Sequence, residues 1–218
     1  MTSNELSRCC TIGSLHEGEA KGEIKDIGDF STYFAYPTNR SNEKAILILT
    51  DVIGHRLINA QLIADQFTSK GYLVVMPDLF NGDTVGINRP EGFQIMEWVK
   101  NHLPPQTQPI IDAVLKEMRE NMGRKRIGGV GYCFGGKYVC RYLKGRQLDA
   151  GFIAHPTMVE ADELKVRDFV FTTEKRRESE DILDQMDVPY RTNLLSDVGH
   201  IFSVFNQAAA WFDEYLKE

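Results

Sequence analysis

Two near-continuous apolar runs mark the first half of the chain: "AILILTD" (Ala45 to Asp51) and "YLVVMPD" (Tyr72 to Asp78). Runs of this kind predict strands covered on both faces of a sheet. Weaker runs of the same character follow at Arg126 to Tyr132 and Ala150 to Pro156, and Tyr190 to Asp197 predicts a late strand. Ser31 to Pro37 predicts an antiparallel strand near an edge. Helical periodicity fills the intervals, over Asn59 to Ser69, Gly92 to Asn101, Thr107 to Asn121, Lys137 to Leu143, Lys175 to Met186 and Gln207 to Leu216. Strands alternating with helices predict an α/β fold, with a mostly parallel central sheet and helices on both faces. In such sheets the chemistry sits at the C-terminal strand ends. Asp51, Asp78 and Cys133 fall there.

No repeat, low-complexity segment or Gly/Ser/Pro-rich linker divides the 218 residues. One domain over residues 31–218 is expected, with residues 1–30 as an N-terminal extension packed on or near the core. The net charge of -6 comes without a basic stripe. "EKRRESE" (Glu174 to Glu180) mixes both signs and reads as a solvated helix face, so no nucleic-acid partner is expected. No apolar run approaches the ~20 residues of a membrane span, so no membrane association is expected. The opening "MTSNELSRCC" lacks the pattern of a secretory signal. Cys9, Cys10, Cys133 and Cys140 match neither a zinc framework nor a redox C-x-x-C pair. Free thiols in a reducing, cytoplasmic compartment are the expectation.

The stretch "RIGGVGYCFGGKYVCRYL" (Arg126 to Leu143) runs from strand into helix with a cysteine at the corner. A strand that turns abruptly into a helix needs small neighbours, so that the two can approach closely. Gly131-Tyr132-Cys133-Phe134-Gly135 has the logic of the G-x-S-x-G nucleophile elbow with sulfur in place of oxygen. The side chain at the tip is expected to stand clear of the sheet, at a helix N-terminus that favours thiolate. The Phe134 N–H can stabilise an oxyanion. The competing reading is a buried structural cysteine after a glycine-rich turn. Cys140 reads as core packing. His200, in "LLSDVGHIF", follows the last strand and precedes the last helix, where a general base belongs in this architecture. His155 ends another strand and reads as packing or indirect support. His55 follows the loop Asp51 to Gly54, and His16 and His102 carry no pattern.

With Cys133 and His200 in place, the chain resembles the dienelactone hydrolase family of α/β hydrolases, and most closely its fungal-type branch. The resemblance is carried by "DVIGH" (Asp51 to His55), "PDLFNGD" (Pro77 to Asp83), "RPEGF" (Arg89 to Phe93), "GGVGYCFGGKYV" (Gly128 to Val139), "AHP" around His155, and Gly199-His200. It covers most of the chain from about Ser31 onward. The resemblance implies Cys133 as nucleophile and His200 as general base. It implies Asp168 as the acid of the triad, and an oxyanion hole built from the Val52 and Phe134 N–H groups. Asp51 matches an acidic residue that contacts the resting thiol and gates its activation. The implied substrate is a small ester or lactone, cleaved through a thioester without metal or organic cofactor, by a monomer or homodimer.

Two departures from the family pattern stand out. The apolar strand expected before the acid is missing, because "VEADELKVRDFVFTTEKRR" runs almost directly from helix-like sequence to Asp168. Alternatively, Val166 to Thr173 itself enters the sheet, in which case Glu174 at its end can serve as the acid. The stretch after His200 also reaches the last helix early and lacks an expected arginine, which leaves Arg89 as a candidate contact for an anionic substrate. These departures keep open a catalytically impaired member acting as a binding module. A thiol redox sensor is a further alternative, but it needs a resolving thiol, and Cys140 lies about 10 Å from Cys133 along a helix.

Overall fold

The computed structural model describes residue 3 and residues 5–38, 43–89, 92–164, 169–172, 190–192 and 205–216. Its strands are β1 (Glu23–Ile27), β2 (Phe30–Ala35), β3 (Lys44–Leu49), β4 (Leu73–Pro77), β5 (Arg126–Tyr132), β6 (Ala150–Ala154), β7 (Phe169–Thr172) and β8 (Tyr190–Thr192). They form one sheet in the order β1-β2-β4-β3-β5-β6-β7-β8. The β1–β2 and β2–β4 pairs are antiparallel and all others are parallel. The helices are α1 (Ile58–Ser69), α2 (Ile95–Trp98), α3 (Pro104–Lys116), α4 (Phe134–Lys144) and α5 (Phe205–Tyr215).

Period-2 alternation assigns the two faces of the sheet. Ala45, Leu47 and Leu49 of β3 and Leu73 and Val75 of β4 join one buried cluster with Ile111 and Val114 of α3 and Tyr138 and Val139 of α4. The residues between them, Ile46, Ile48, Val74 and Met76, join a second cluster with Ile63 and Phe67 of α1 and Trp211 and Phe212 of α5. Each large side chain buried there contributes about 2 kcal/mol relative to exposure. Continuous apolar runs in β3 and β4 are therefore what a sheet with helices on both faces requires.

Two details differ from the sequence expectation. Residues 23–27 fall within the predicted N-terminal extension, yet they form β1 and pair with β2 from Glu23↔Phe34 to Ile27↔Phe30. Four of the five β1 residues are exposed, so an edge strand of this kind shows no apolar run. The second difference concerns the strand expected to be missing. β7 fills that place, parallel to β6 with Phe152↔Val170 and Ala154↔Thr172 in register. The edge of a buried strand such as β6 would otherwise leave backbone N–H and C=O groups without partners, and Phe169–Thr172 supplies them. Lys175 to Met186, a predicted helix, lies outside the described residues.

The chain passes from β3 to β4 on one side and returns to β5 on the other side of β3. The C-terminal ends of β3 and β5 thus flank the point where strand order reverses, the usual place for a ligand crevice.

Candidate active site

β5 ends at Tyr132 and α4 begins at Phe134, which leaves Cys133 alone to make the turn. Its backbone sits at φ 49° and ψ -111°. That region is costly for any residue with a Cβ, on the order of 1–3 kcal/mol, and it is held by partners on every side. The Cys133 N–H donates to the Ala154 carbonyl (3.1 Å), and the Cys133 carbonyl accepts from Thr157 (3.1 Å) and Gly136 (3.2 Å). Small residues let the helix approach. A Cβ on Gly135 would fall on the Leu49 carbonyl, and one on Gly131 would come within 2.7 Å of the Gly136 Cα. Gly135 also donates to the Thr50 carbonyl (3.0 Å), tying the start of α4 to the end of β3.

The sulfur does not stand in the open as the sequence pattern suggests, for Cys133 is only 1% exposed. An N-terminal strap covers this edge of the sheet. Ser3 Oγ accepts the Val159 N–H (2.7 Å), and Leu6 enters the same core cluster as Cys133. The Thr11 carbonyl accepts the Asn88 N–H (2.6 Å), and the Asn88 side chain bonds both the N–H and the carbonyl of Gly13. Asn59 then holds Ser14 and His16 through their backbone. Between these anchors, the 3₁₀ turn Arg8–Thr11 carries Cys10, which is buried in the same core cluster as Cys133.

The resting electrostatics follow from this cover. The Cys10 thiol, burial and the nearby Asp51 carboxylate push the Cys133 thiol well up, while a Thr157 contact opposes them. Thr157 Oγ1 lies 3.9 Å from Cys133 Sγ. The start of α4 alone favours thiolate, but it is outweighed, and the sulfur rests as a thiol. Asp51 is itself pushed up to about 6 by burial, against the pull of the Ile53 and Gly54 N–H groups on Oδ1 (2.9 and 3.4 Å).

Loops at the strand ends build the walls. Asp78 organises the turn after β4 by accepting the Phe80 and Gly82 N–H groups (3.0 and 2.7 Å). Phe80 packs on Phe134 and Trp98, both 5.1 Å between centroids, and Trp98 stacks on His102. His55 bonds Ser31 Oγ (3.0 Å) and is buried, which lowers its basicity despite Asp78 nearby. The loop after β6 carries His155, at φ 39°, and Thr157. It is clamped to α4 by buried Lys137, which donates to the Met158 carbonyl (2.8 Å) and to Glu163 (2.9 Å), while Arg141 takes the other Glu163 oxygen (2.7 Å).

Of the residues singled out from sequence, Cys133, Phe134, Val52 and Asp51 come together at the β3 and β5 ends. Phe134 opens α4, so its N–H has no acceptor within the helix. Val52 is fully buried, and its carbonyl accepts from Val85 (2.9 Å). Arg89 is exposed on the loop after β4, its guanidinium 5.2 Å over the Phe93 ring, next to the strap contact at Asn88. His200, Asp168 and Glu174 lie outside the described residues. Sequence reasoning missed Cys10, Thr157 and the Lys137–Glu163 clamp. The signals available were the Cys9-Cys10 pair, the Thr directly after "AHP", and a lysine on the core-facing side of α4. Cys140 is buried in the core, as expected of it. Among the described residues, no cluster of His, Cys, Asp or Glu could hold a metal ion. None of the described helices is long and apolar enough to cross a membrane.

Comparison with known proteins points in one direction. The model of the dienelactone hydrolase family matches residues 30–216. "Hydrolase pyvD" of Aspergillus violaceofuscus is 51% identical over the whole of both chains. That alignment spans 245 positions against 218 residues here, so this chain carries gaps relative to it. "Hydrolase tropI" of Talaromyces stipitatus is 42% identical, again over the whole of both chains. Among solved structures, a putative dienelactone hydrolase from Klebsiella pneumoniae superposes with a TM-score of 0.69 at 16% identity, over 89% of this chain and 98% of that one.

Proposed function

The chain belongs to the dienelactone hydrolase family and is a carboxylic ester or lactone hydrolase of α/β-hydrolase fold; from that premise we propose that Cys133 is its nucleophile, acting on a small dienelactone-like ester through a thioester. The observation that carries this reading is the corner itself. A cysteine is held at φ 49° between the central strand and a helix, on the edge where strand order reverses.

In the proposed cycle His200 removes the Cys133 proton, and the thiolate attacks the carbonyl carbon. The Val52 and Phe134 N–H groups receive the developing oxyanion. His200 returns the proton to the departing alkoxide, leaving a thioester. Water activated by His200 then adds to the thioester, and the acid is released as sulfur recovers its proton. A carboxylate fixes the His200 tautomer and stabilises its charged form. Asp51, by its charge, keeps the sulfur protonated until substrate arrives, and Arg89 offers a positive charge to an anionic substrate. Family resemblance makes Asp168 the carboxylate. The register of β7 favours a second reading. Thr172 is level with Ala154, on the nucleophile's side of the sheet, whereas Phe169 is level with Gly151 towards the opposite edge. Glu174 follows the end of β7 in sequence and Asp168 precedes its start, which supports Glu174 as the acid.

The test is hydrolysis of p-nitrophenyl acetate and of a small unsaturated lactone by the purified chain. Cys133→Ala and His200→Ala are each expected to lower kcat/KM at least about a thousandfold, with an acyl adduct trapped on Cys133 by mass spectrometry. Whichever of Asp168→Asn and Glu174→Gln costs more activity identifies the acid. A folded wild-type chain that alkylates at Cys133 but turns over neither ester overturns the hydrolytic role and leaves the binding-module reading.

A further inference from the structure

The loop after β6 holds the backbone of Cys133 at two points. The Ala154 carbonyl accepts the Cys133 N–H, and the Thr157 N–H donates to the Cys133 carbonyl, both at 3.1 Å. The same threonine is 5% exposed, and its Oγ1 reaches Cys133 Sγ at 3.9 Å. His155 at φ 39° and Met158 at φ 59°, on either side of it, hold left-handed backbone, which persists only where the surroundings over-determine it. Here a buried ion pair does so. Lys137 Nζ donates to the Met158 carbonyl at 2.8 Å and to Glu163 at 2.9 Å, with 5% and 7% of the two side chains exposed. Glu163 also accepts the Glu160 N–H at 2.9 Å and Arg141 at 2.7 Å. Lys137 stands on α4, the helix that starts at the residue after Cys133. The sulfur and the hydroxyl are thus held against the same helix.

We propose that Thr157 is a further catalytic residue, its hydroxyl donating a hydrogen bond to the Cys133 sulfur as that sulfur becomes a thiolate, with Lys137 and Glu163 as the positioning residues that keep it in reach. The role rests on Cys133 being the nucleophile. A thiol can donate to the hydroxyl or accept from it, but a thiolate only accepts. Once the proton has left the sulfur, Thr157 must be the donor, and a hydrogen bond to a charged acceptor is shorter and about twice as strong as a neutral one. A contact that is long in the resting site tightens as the charge develops. The gain is therefore made in the charged state and not in the resting one, which is the condition for lowering a barrier. Thr157 keeps its own hydrogen throughout, so no proton is added to the cycle. Burial and Asp51 favour the thiol, and the Thr157 contact acts against them. In the proposed cycle the Val52 and Phe134 N–H groups serve the substrate oxygen, while Thr157 serves the sulfur.

Alkylation of Cys133 by iodoacetamide, followed by peptide mass spectrometry, reads the thiolate without ester turnover. Rates are compared at one fixed pH in the full-length chain. Asp51 and Cys10, the titratable groups that bear on this sulfur, stay unaltered in every variant. Thr157→Val removes the hydroxyl and keeps the shape. It is expected to lower the thiolate fraction about 10- to 100-fold. The greater nucleophilicity of a more basic sulfur offsets part of this, so alkylation slows roughly 3- to 10-fold. Thr157→Ser is expected to recover most of the lost rate. The sign separates chemistry from packing, because truncating a threonine that merely filled space would loosen the cover and quicken alkylation. Thr157→Ala, the variant to read if Thr157→Val misfolds, is accordingly expected to slow alkylation although it opens space beside the sulfur. Alkylation of Thr157→Val at or above the unaltered rate overturns the proposal, as does a Thr157→Ser as slow as Thr157→Val. Failure of the nucleophile reading is a separate result, seen as esterase activity retained by Cys133→Ala.

Discussion

The corner at Gly131 to Gly136 and the strap from Ser3 to His16 bury the same sulfur by opposite means. The corner is steric. Its glycines meet backbone atoms of β3 and α4, and its hydrogen bonds are shared with the sheet. The strap is held mainly through polar side chains, Ser3 on Val159, Asn88 on Thr11 and Gly13, and Asn59 on Ser14 and His16, with Leu6 and Cys10 in the core cluster. The difference separates two jobs. The sheet and α4 fix where the sulfur is, while the strap buries it and Asp51 acts on its protonation.

The comparison breaks most readily at Gly135. Gly135→Ala drives a Cβ into the Leu49 carbonyl, and backbone cannot step aside as a side chain can. A loss of about 3 kcal/mol or more is expected, read as a lower urea midpoint at unchanged slope. A cost near zero would show that the corner is as yielding as the strap.

Asp51 gives the next largest effect, and its sign is diagnostic. Its folded pKa is about 6 against an ordinary 3.8. Between those values the folded chain binds the extra proton, so ionising Asp51 removes stability as pH rises from about 4 to 6. Asn is neutral and can still accept the Ile53 and Gly54 N–H groups. Asp51→Asn is therefore expected to be more stable than the unaltered chain by about 2–3 kcal/mol above pH 7 and to show little difference near pH 4. Denaturant unfolding at both pH values checks this, and a pH-independent difference rules it out.

Ser3→Ala sharpens the comparison with the smallest effect. It removes the hydrogen bond from the Val159 N–H to Ser3 Oγ and lowers the free energy of strap opening by about 1–2 kcal/mol. Alkylation of Cys133 under native conditions is expected to quicken about 5- to 30-fold, while the urea midpoint moves far less than in Gly135→Ala. Unchanged alkylation would mean that the strap does not gate the sulfur.

Much of this was legible in the chain itself. Burial on both faces writes itself as unbroken apolar runs, so β3 and β4 declared their neighbours. Close approach of strand and helix demands glycine, so the corner at Cys133 could be read one residue at a time. β1 could not be read, because an exposed edge strand has no apolar signature. The cover over the sulfur could not be read either. Cys10 and Cys133 share one buried cluster across most of the sheet topology, and nothing in the spacing of "RCCT" records it. The same holds for the clamp of Lys137 on Glu163, which looks in sequence like two ordinary surface charges. Local backbone geometry and burial periodicity are properties of neighbouring residues, so the sequence determined the elements and the corner by itself. The protonation and enclosure of the sulfur arise from contacts between distant segments. Only the tertiary structure decided those, because charge and dielectric depend on distance in space, not along the chain.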